Sequence, residues 1–191
     1  MLFRSQRYHD LYAGRMTLPR AGEKLVATLP AISRQEREKY GHAKATDADI
    51  LRTKAIYYGM VTYVDEEFGR ILRRLDELGL REDTIIVYTA DHGEMLGDRG
   101  IWYKNSFYDG SATIPFLWSY PRQLPRGRVV TTPAMNLDVF PTLCALAGLP
   151  APAGLEGSSL VPVMRGEADG RDRIALSENY RGNFAGRMIR T

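Results

Sequence analysis

A single cysteine, Cys144, among 191 residues leaves the chain without an internal disulfide or a cysteine-built structural zinc site. It lies in the apolar run Val139-Phe140-Pro141-Thr142-Leu143-Cys144-Ala145-Leu146, where a free thiol behaves as a small buried hydrophobe. No apolar run approaches the roughly 18 residues that a membrane-spanning helix requires, so no membrane partner is expected. Met1 to Tyr12 carries charges and no apolar stretch, so no secretory signal is visible there. A concentrated block of one charge is also missing. The net charge of +3 comes from arginines spread along the chain. Its nearest approach to a basic patch is Arg70, Arg73 and Arg74, which at helical spacing reads as a solvated face. Without interleaved aromatic and basic residues, nucleic acid is not an expected partner.

What is present is an ordinary soluble balance, 44% apolar and 26% charged, in a length that suits one domain with a core. No repeat or low-complexity tract interrupts it. Residues 1–45 contain many basic residues, little periodicity and prolines at 19 and 30, and are expected to form a loop-rich lead-in. From Thr46 to Leu78 the pattern changes. Met60, Val64, Phe68, Ile71, Leu75 and Leu78 recur at steps of three and four, which predicts one stripe of a long amphipathic helix. Asp47 and Asp49 suit its electropositive start, and Gly79 is a natural stop.

Thr84-Ile85-Ile86-Val87-Tyr88-Thr89 is a β-branched run, expected to be a strand covered on both faces as in parallel α/β sheets. Ile114 to Trp118 predicts a second strand entered through Pro115. A short helix is expected over Asp138 to Ala147, stopped by Gly148, and late strands near Arg173–Ser177 and Gly186–Arg190. Residues 46–150 would thus carry the helix, the site-bearing strand, its loop and the following helix, and residues 151–191 the last strands.

The chemistry concentrates in Thr89-Ala90-Asp91-His92-Gly93-Glu94-Met95-Leu96-Gly97-Asp98-Arg99-Gly100-Ile101-Trp102-Tyr103-Lys104. Asp91 and His92 fall just after the predicted strand, and loops leaving the carboxyl ends of strands are where α/β sheets bind ligands. A carboxylate beside an imidazole can supply two ligands to one divalent metal, and an Asp-His-Gly turn held by local amide bonds is the equal alternative. Gly93, Gly97 and Gly100 permit sharp turns. Lys104, thirteen residues beyond Asp91, returns a cationic head that could meet a bound anion. Trp102 and Tyr103 either line a substrate pocket or pack the loop onto the core. Glu94, Asp98 and Arg99 are expected to pair across the loop or face solvent. His9 and His42 read as surface histidines.

This block resembles the alkaline-phosphatase superfamily and, within it, the sulfatases of the choline-sulfatase and phosphonate monoester hydrolase branch. Three further segments agree in order: Tyr57-Tyr58-Gly59-Met60-Val61-Thr62-Tyr63-Val64-Asp65; Asn136 to Leu143 followed by Ala147-Gly148-Leu149-Pro150; and Tyr8 to Tyr12 with Leu18-Pro19. The resemblance implies an α/β fold with a mixed, largely parallel sheet flanked by helices, here its C-terminal portion and therefore incomplete. It implies Asp91 and His92 as ligands of a divalent metal, calcium or manganese. It also implies Lys104 as the catalytic cation on the ester's oxygens, with Trp102 and Tyr103 on the substrate side. His92 stands where other sulfatases place Asn, and a nitrogen ligand weakens calcium relative to manganese.

The family's nucleophile, a Cys or Ser in a Cys/Ser-x-Pro-x-Arg motif, has no counterpart here, since Cys144 is followed by Ala145-Leu146-Ala147. The expectation is a sulfuric-ester hydrolase domain represented by one portion and inactive on its own. Its partner would be a small sulfate ester, or a phosphonate or phosphate ester as the alternative chemistry. A non-catalytic remnant serving as a binding module is the rival of another class, and a homo-oligomer stays open.

Overall fold

The computed structural model describes residues 6–181 and 184–191. The chain divides into two units, Met1–Leu75 with His92–Thr113, and Asp76–Asp91 with Ile114–Thr191.

In the first unit, the segment expected to be loop-rich holds three short helices joined by loops: α1 (Gln6–Asp10), α2 (Glu23–Ala27) and α3 (Ala31–Lys39). Helices of five to nine residues are shorter than the window over which apolar periodicity is read. Pro30, which reads as a loop signal, instead occupies the N-cap of α3, a place where its missing N–H costs nothing. Helix α4 (Asp47–Glu77) matches the predicted span to within a residue or so at each end. Thr46 and Asp49 begin it reciprocally: the Asp49 carboxylate accepts the Thr46 N–H at 3.1 Å, and Thr46 Oγ1 accepts the Asp49 N–H at 3.2 Å. The Thr46 hydroxyl, which donates to the same carboxylate at 2.6 Å, and after it the Thr46 N–H hold the Asp49 carboxyl below its ordinary value. Gly79 closes the turn after it with φ +67°.

The apolar stripe of α4 is only partly used. Ala55 and Gly59 are its buried residues, whereas Val64 and Ile71, on the predicted stripe, are exposed, Ile71 by 59%. The periodicity correctly gives the helix but not what covers it. Helix α1 lies directly on α4 at Gly59, where a Cβ would stand 2.8 Å from the Tyr8 carbonyl oxygen. Tyr8 Oη donates to Glu66 at 2.7 Å, and Tyr12 Oη bonds Thr62 Oγ1 at 2.6 Å.

Strand β1 (Ile86–Thr89) belongs to the second unit, and the one-turn helix α5 (Asp109–Ala112) to the first. Strand β2 (Phe116–Ser119) pairs with β1 antiparallel, Ile86 opposite Ser119 and Thr89 opposite Phe116. Helices α6 (Val139–Ala147) and α7 (Val161–Arg165) follow. Strands β3 (Ala175–Arg181) and β4 (Phe184–Arg190) then form an antiparallel hairpin.

The α/β class stands, and the strands pair antiparallel in both sheets of the described residues. The parallel neighbours expected of β1 do not occur among those residues, and β1 is half-buried rather than covered on both faces. A β-branched run reports burial, and it carries no information on the direction of the adjacent strand. The core of this unit is Leu124, Leu146 and Val161, with Ile85, Trp118, Tyr120 and Met164 against it. Cys144 is buried, as expected. Among the described residues no helix is long and apolar enough to cross a membrane.

A polar knot organises this second unit around α6. Asp138 is 1% exposed and pairs with Arg173 at 2.8 Å. It also accepts the N–H groups of Met135 and Ser158, each at 2.9 Å. Thr142, fully buried, donates to the Asp138 carbonyl at 2.6 Å and accepts the Leu160 N–H at 2.9 Å. The Asp-x-x-Pro-Thr-Leu string of residues 138–143 is thus explained by architecture: it ties the start of α6 to the segment entering α7 and to the approach to β3.

Candidate metal and anion site

Strand β1 ends at Thr89, and the described geometry fixes that end from within its own unit. Asn136 Nδ2 donates to the Ala90 carbonyl at 3.0 Å, and Thr89 Oγ1 donates to Asn136 Oδ1 at 3.3 Å. Asp91, exposed, is the next residue and closes this stretch of the second unit. Asn136 is a supporting residue that sequence reasoning grouped only with the helix motif. Nothing in a separation of 46 residues signals that it holds the chain just before Asp91.

His92 opens the loop of the first unit. Its Nδ1 lies 2.7 Å from the Gly93 carbonyl oxygen. A carbonyl only accepts, so Nδ1 is the donor of this bond, and in the neutral ring the lone pair is then on Nε2. That is the tautomer a metal-ligating histidine uses, with the other nitrogen oriented by a backbone carbonyl. Gly93 is required by close approach: its N–H donates to Ser111 O at 2.7 Å, and a Cβ there would run into the Gly110 carbonyl oxygen.

Beyond Gly93 the loop folds back on itself. The Met95 N–H donates to Tyr103 O and the Gly97 N–H to Ile101 O, both at 3.0 Å, with a 3-10 turn over Asp98–Gly100 at the tip. Gly97 and Gly100 are left-handed, and so are three residues with side chains: Leu96 (φ 47°), Arg99 (φ 56°) and Tyr103 (φ 67°). Each such residue costs about 1–2 kcal/mol, so the loop is held by its surroundings. Glu94 supplies part of that hold. Its Oε1 accepts the N–H of Leu96 at 3.1 Å and that of Tyr103 at 2.7 Å. Pairing across the loop, one of the two expectations for Glu94, thus acts on two of the three strained positions.

The lead-in helices form the floor. Met95 and Ile101 are buried with Leu29, and Val26 and Tyr108 pack beside them. Arg37 Nε donates to the Gly100 carbonyl at 3.0 Å, and Asn105 Nδ2 donates to Glu36 at 3.1 Å. Arg99 lies 4.3 Å from the centre of the Tyr108 ring, and Asp98 pairs with Arg20 at 3.6 Å.

Lys104, the predicted anion-binding cation, is exposed beside Tyr103, and its carbonyl accepts a hydrogen bond from the buried Ser111 hydroxyl. Trp102 and Tyr103 line a cavity within the first unit. Glu178, Arg187 and Tyr180 form a cross-strand polar cluster on the β3–β4 hairpin, with Arg187 Nε 2.6 Å from Glu178.

As a metal site the donor set fits in kind and falls short in number. Asp91 and His92 are metal-ligating residue types adjacent in the chain, one at the edge of each unit, while among the described residues no cluster of three or more His, Cys, Asp or Glu could hold a metal ion. Six to eight ligands for calcium, or the smaller shell of a transition metal, would need donors beyond these two.

Known proteins share this arrangement of sequence and fold. A sulfatase family model matches residues 5–149. Choline-sulfatase from Rhizobium meliloti (strain 1021) is 36% identical over 130 residues, 66% of this chain and 25% of the relative. Arylsulfatase K from Xenopus laevis is 35% identical over 143 residues, 75% of this chain and 26% of the relative. Among solved structures, phosphonate monoester hydrolase SpPMH from Silicibacter pomeroyi matches with a TM-score of 0.76 at 33% identity, over 86% of this chain and 35% of that one. The chain therefore spans about a quarter of the length of the curated relatives it matches. The fold is sulfatase-like, of the α/β alkaline-phosphatase type, in incomplete form. With a family model covering most of its length and a relative 36% identical over 130 residues, the chain belongs to the sulfatase family.

Proposed function

We propose that this chain is the metal- and anion-binding portion of a sulfuric-ester hydrolase domain, and that by itself it does not turn over an ester. The observation that carries the proposal is the loop leaving β1: Asp91 and His92 adjacent in the chain, the His92 tautomer set by Gly93, and Lys104 at the end of a strained loop held by Glu94. In this reading the Asp91 carboxylate and His92 Nε2 ligate a divalent cation, calcium or manganese. The family is generally metal-dependent. When bound, such a cation polarises a sulfuryl oxygen and offsets its charge. The Lys104 ammonium binds the remaining anionic oxygens, where negative charge accumulates as the ester is attacked.

The inactivity follows from the sequence. It contains no Cys/Ser-x-Pro-x-Arg nucleophile motif, and two metal ligands with one lysine orient an ester without attacking it. The test is a turnover assay on an aryl sulfate with the pure chain. Background rates are expected, and turnover abolished by Asp91→Ala would overturn the proposal.

A second reading, hydrolysis of phosphonate or phosphate esters, has a specific observation in its favour: the match to SpPMH at a TM-score of 0.76, together with a second phosphonate monoester hydrolase, from Agrobacterium radiobacter, at 38% identity. Both transition states place charge on equatorial oxygens, so the same residues serve either. Matched sulfate and phosphonate esters assayed on an intact parent protein separate them. A binding module without catalysis is the outcome that remains if no parent activity of either kind exists.

A further inference from the structure

Within the second unit lies a cavity of about 630 Å³ that shares no residue with the loop of residues 89–104. Its walls come from the end of α4 and the turn after it, from the last two residues of β2, and from the loop of residues 120–128. That loop is firmly placed. The Gln123 and Leu124 N–H groups donate to the Tyr120 carbonyl at 3.0 and 2.8 Å. Gln123 Nε2 donates to the Leu146 carbonyl at 3.0 Å, and Arg165 donates to the Gln123 carbonyl at 3.1 Å and to its side-chain oxygen at 2.7 Å. Trp118, Tyr120 and Leu124 also belong to the core of the unit, so the wall they form stands without a ligand.

Two donors of these walls are unmet. Arg81 Nη1 and Trp118 Nε1 are buried, and neither has a hydrogen-bond partner among the described residues. Of the three buried side-chain atoms in that condition among the described residues, two belong to this one cavity. A buried donor without an acceptor costs about 1–3 kcal/mol, and in a folded protein it calls for a bound ion or water. Guanidinium and indole N–H groups donate and never accept, so whatever meets them must bring acceptors. Charge separates an anion from water. Arg81, Arg126 and Arg128 line the cavity against Asp76 and Glu82, three cations to two carboxylates. The pairs among them are loose. Arg81 Nε stands 3.8 Å from Asp76, and Arg126 stands 3.4 Å from Glu82 with both side chains well exposed, an arrangement worth little. Arg128 donates its Nε to the Val163 carbonyl at 3.1 Å, which holds the guanidinium without neutralising it. Gly166, left-handed with φ +83°, gives it room, since a Cβ there would stand 3.0 Å from Arg128 Nη1.

We infer that this cavity binds a tetrahedral oxyanion, a phosphate or sulfate group either free or carried by a small molecule, on Arg81, Arg126 and Arg128 with the Trp118 N–H beside them. Guanidinium forks match the geometry of such groups. Three forks and an indole also offer more donors than the two oxygens of a carboxylate take up. The volume lies in the range of small-molecule pockets and leaves room for more than an inorganic ion. The inference does not rest on the function proposed above, because Asp91, His92 and Lys104 take no part in it.

The test is proton–nitrogen correlation NMR of the full chain, read at the indole N–H of Trp118, which Trp102→Phe distinguishes from the other indole. Phosphate, sulfate, phenyl phosphate and acetate are titrated as sodium salts at constant ionic strength, with sodium chloride as the blank. The three tetrahedral anions should shift the Trp118 resonance saturably, and acetate should bind at least ten-fold more weakly. Phenyl phosphate binding tighter than phosphate supports a carried group, and equal binding supports the free ion. Arg81→Met should weaken phosphate binding ten-fold or more. Arg126→Met, at an exposed position that does not endanger the fold, should weaken it several-fold. Arg70→Met and Lys104→Ala should leave it unchanged. A shift that chloride reproduces, that acetate matches, or that survives both Arg81→Met and Arg126→Met overturns the inference. So does the absence of any shift, which leaves water to meet the two donors.

Discussion

Replacing Asp138 by alanine should be among the most damaging single changes in the second unit. The carboxylate is 1% exposed, contacts Arg173 at 2.8 Å and accepts two backbone N–H groups at 2.9 Å. Arg173 is itself largely covered, with 17% of its side chain exposed. Removing one member of a buried pair leaves the other charged group and its former donors unmet, a loss of about 3–5 kcal/mol. The separate hydrogen bonds are not added to this, because the same event removes them. Against a total stability of about 5–15 kcal/mol the loss is large. At roughly 2–4 °C per kcal/mol for a chain of this size, it lowers the melting temperature by about 6–20 °C. Thermal unfolding followed by circular dichroism measures it, and a double-mutant cycle with Arg173→Met isolates the pair. In that cycle the two losses should be strongly non-additive, since each change already destroys the shared contact. A loss below about 1 kcal/mol, the level of an exposed ion pair, would refute the reasoning and place Asp138 in contact with solvent.

Two further outcomes follow from the first unit. Glu94→Ala removes the acceptor shared by the Leu96 and Tyr103 amides and should cost about 1–3 kcal/mol, read by urea unfolding, while Glu94→Gln retains an acceptor and should lose less. His42 gives a pH dependence. Its folded-state proton affinity is lowered, first by burial and then by Arg37, with Glu36 and Glu94 acting in the opposite sense. The unfolded chain therefore takes up this proton first. The contribution is intact above the ordinary histidine value of 6.5 and is lost as pH falls towards the lowered folded value. The melting temperature of the wild-type chain should fall more steeply from pH 7 to 5 than that of His42→Gln, and equal slopes would contradict it.

The parts of this molecule legible in its sequence are those written in local pattern. Residues 47–77 announce a helix through apolar spacing, Gly148 announces the end of α6 and is left-handed there with φ +69°, and the β-branched run before Asp91 announces a strand. What was not legible depends on partners distant in the chain. The direction of β2 beside β1 is invisible in either strand alone. Asp138 finds Arg173 across 35 residues and Asn136 finds Ala90 across 46, so a motif recognised by resemblance gains its physical reason only from the fold. The helices of the first 45 residues are shorter than the window over which periodicity is read, yet this segment supplies the floor under Met95 and Ile101 through Val26 and Leu29. For Glu94 the sequence leaves pairing across the loop and facing solvent both open, and the backbone angles of Leu96 and Tyr103 show why the pairing matters.

The account rests most heavily on Asp91 and His92 as metal ligands. The most direct measurement is titration of the full chain with manganese, read by water-proton relaxation, in wild type and in Asp91→Ala and His92→Ala. The account predicts weak binding, on the order of millimolar as for sites poor in ligands, lost in both variants and unchanged in Asp98→Ala. Manganese binding that survives both substitutions would contradict it.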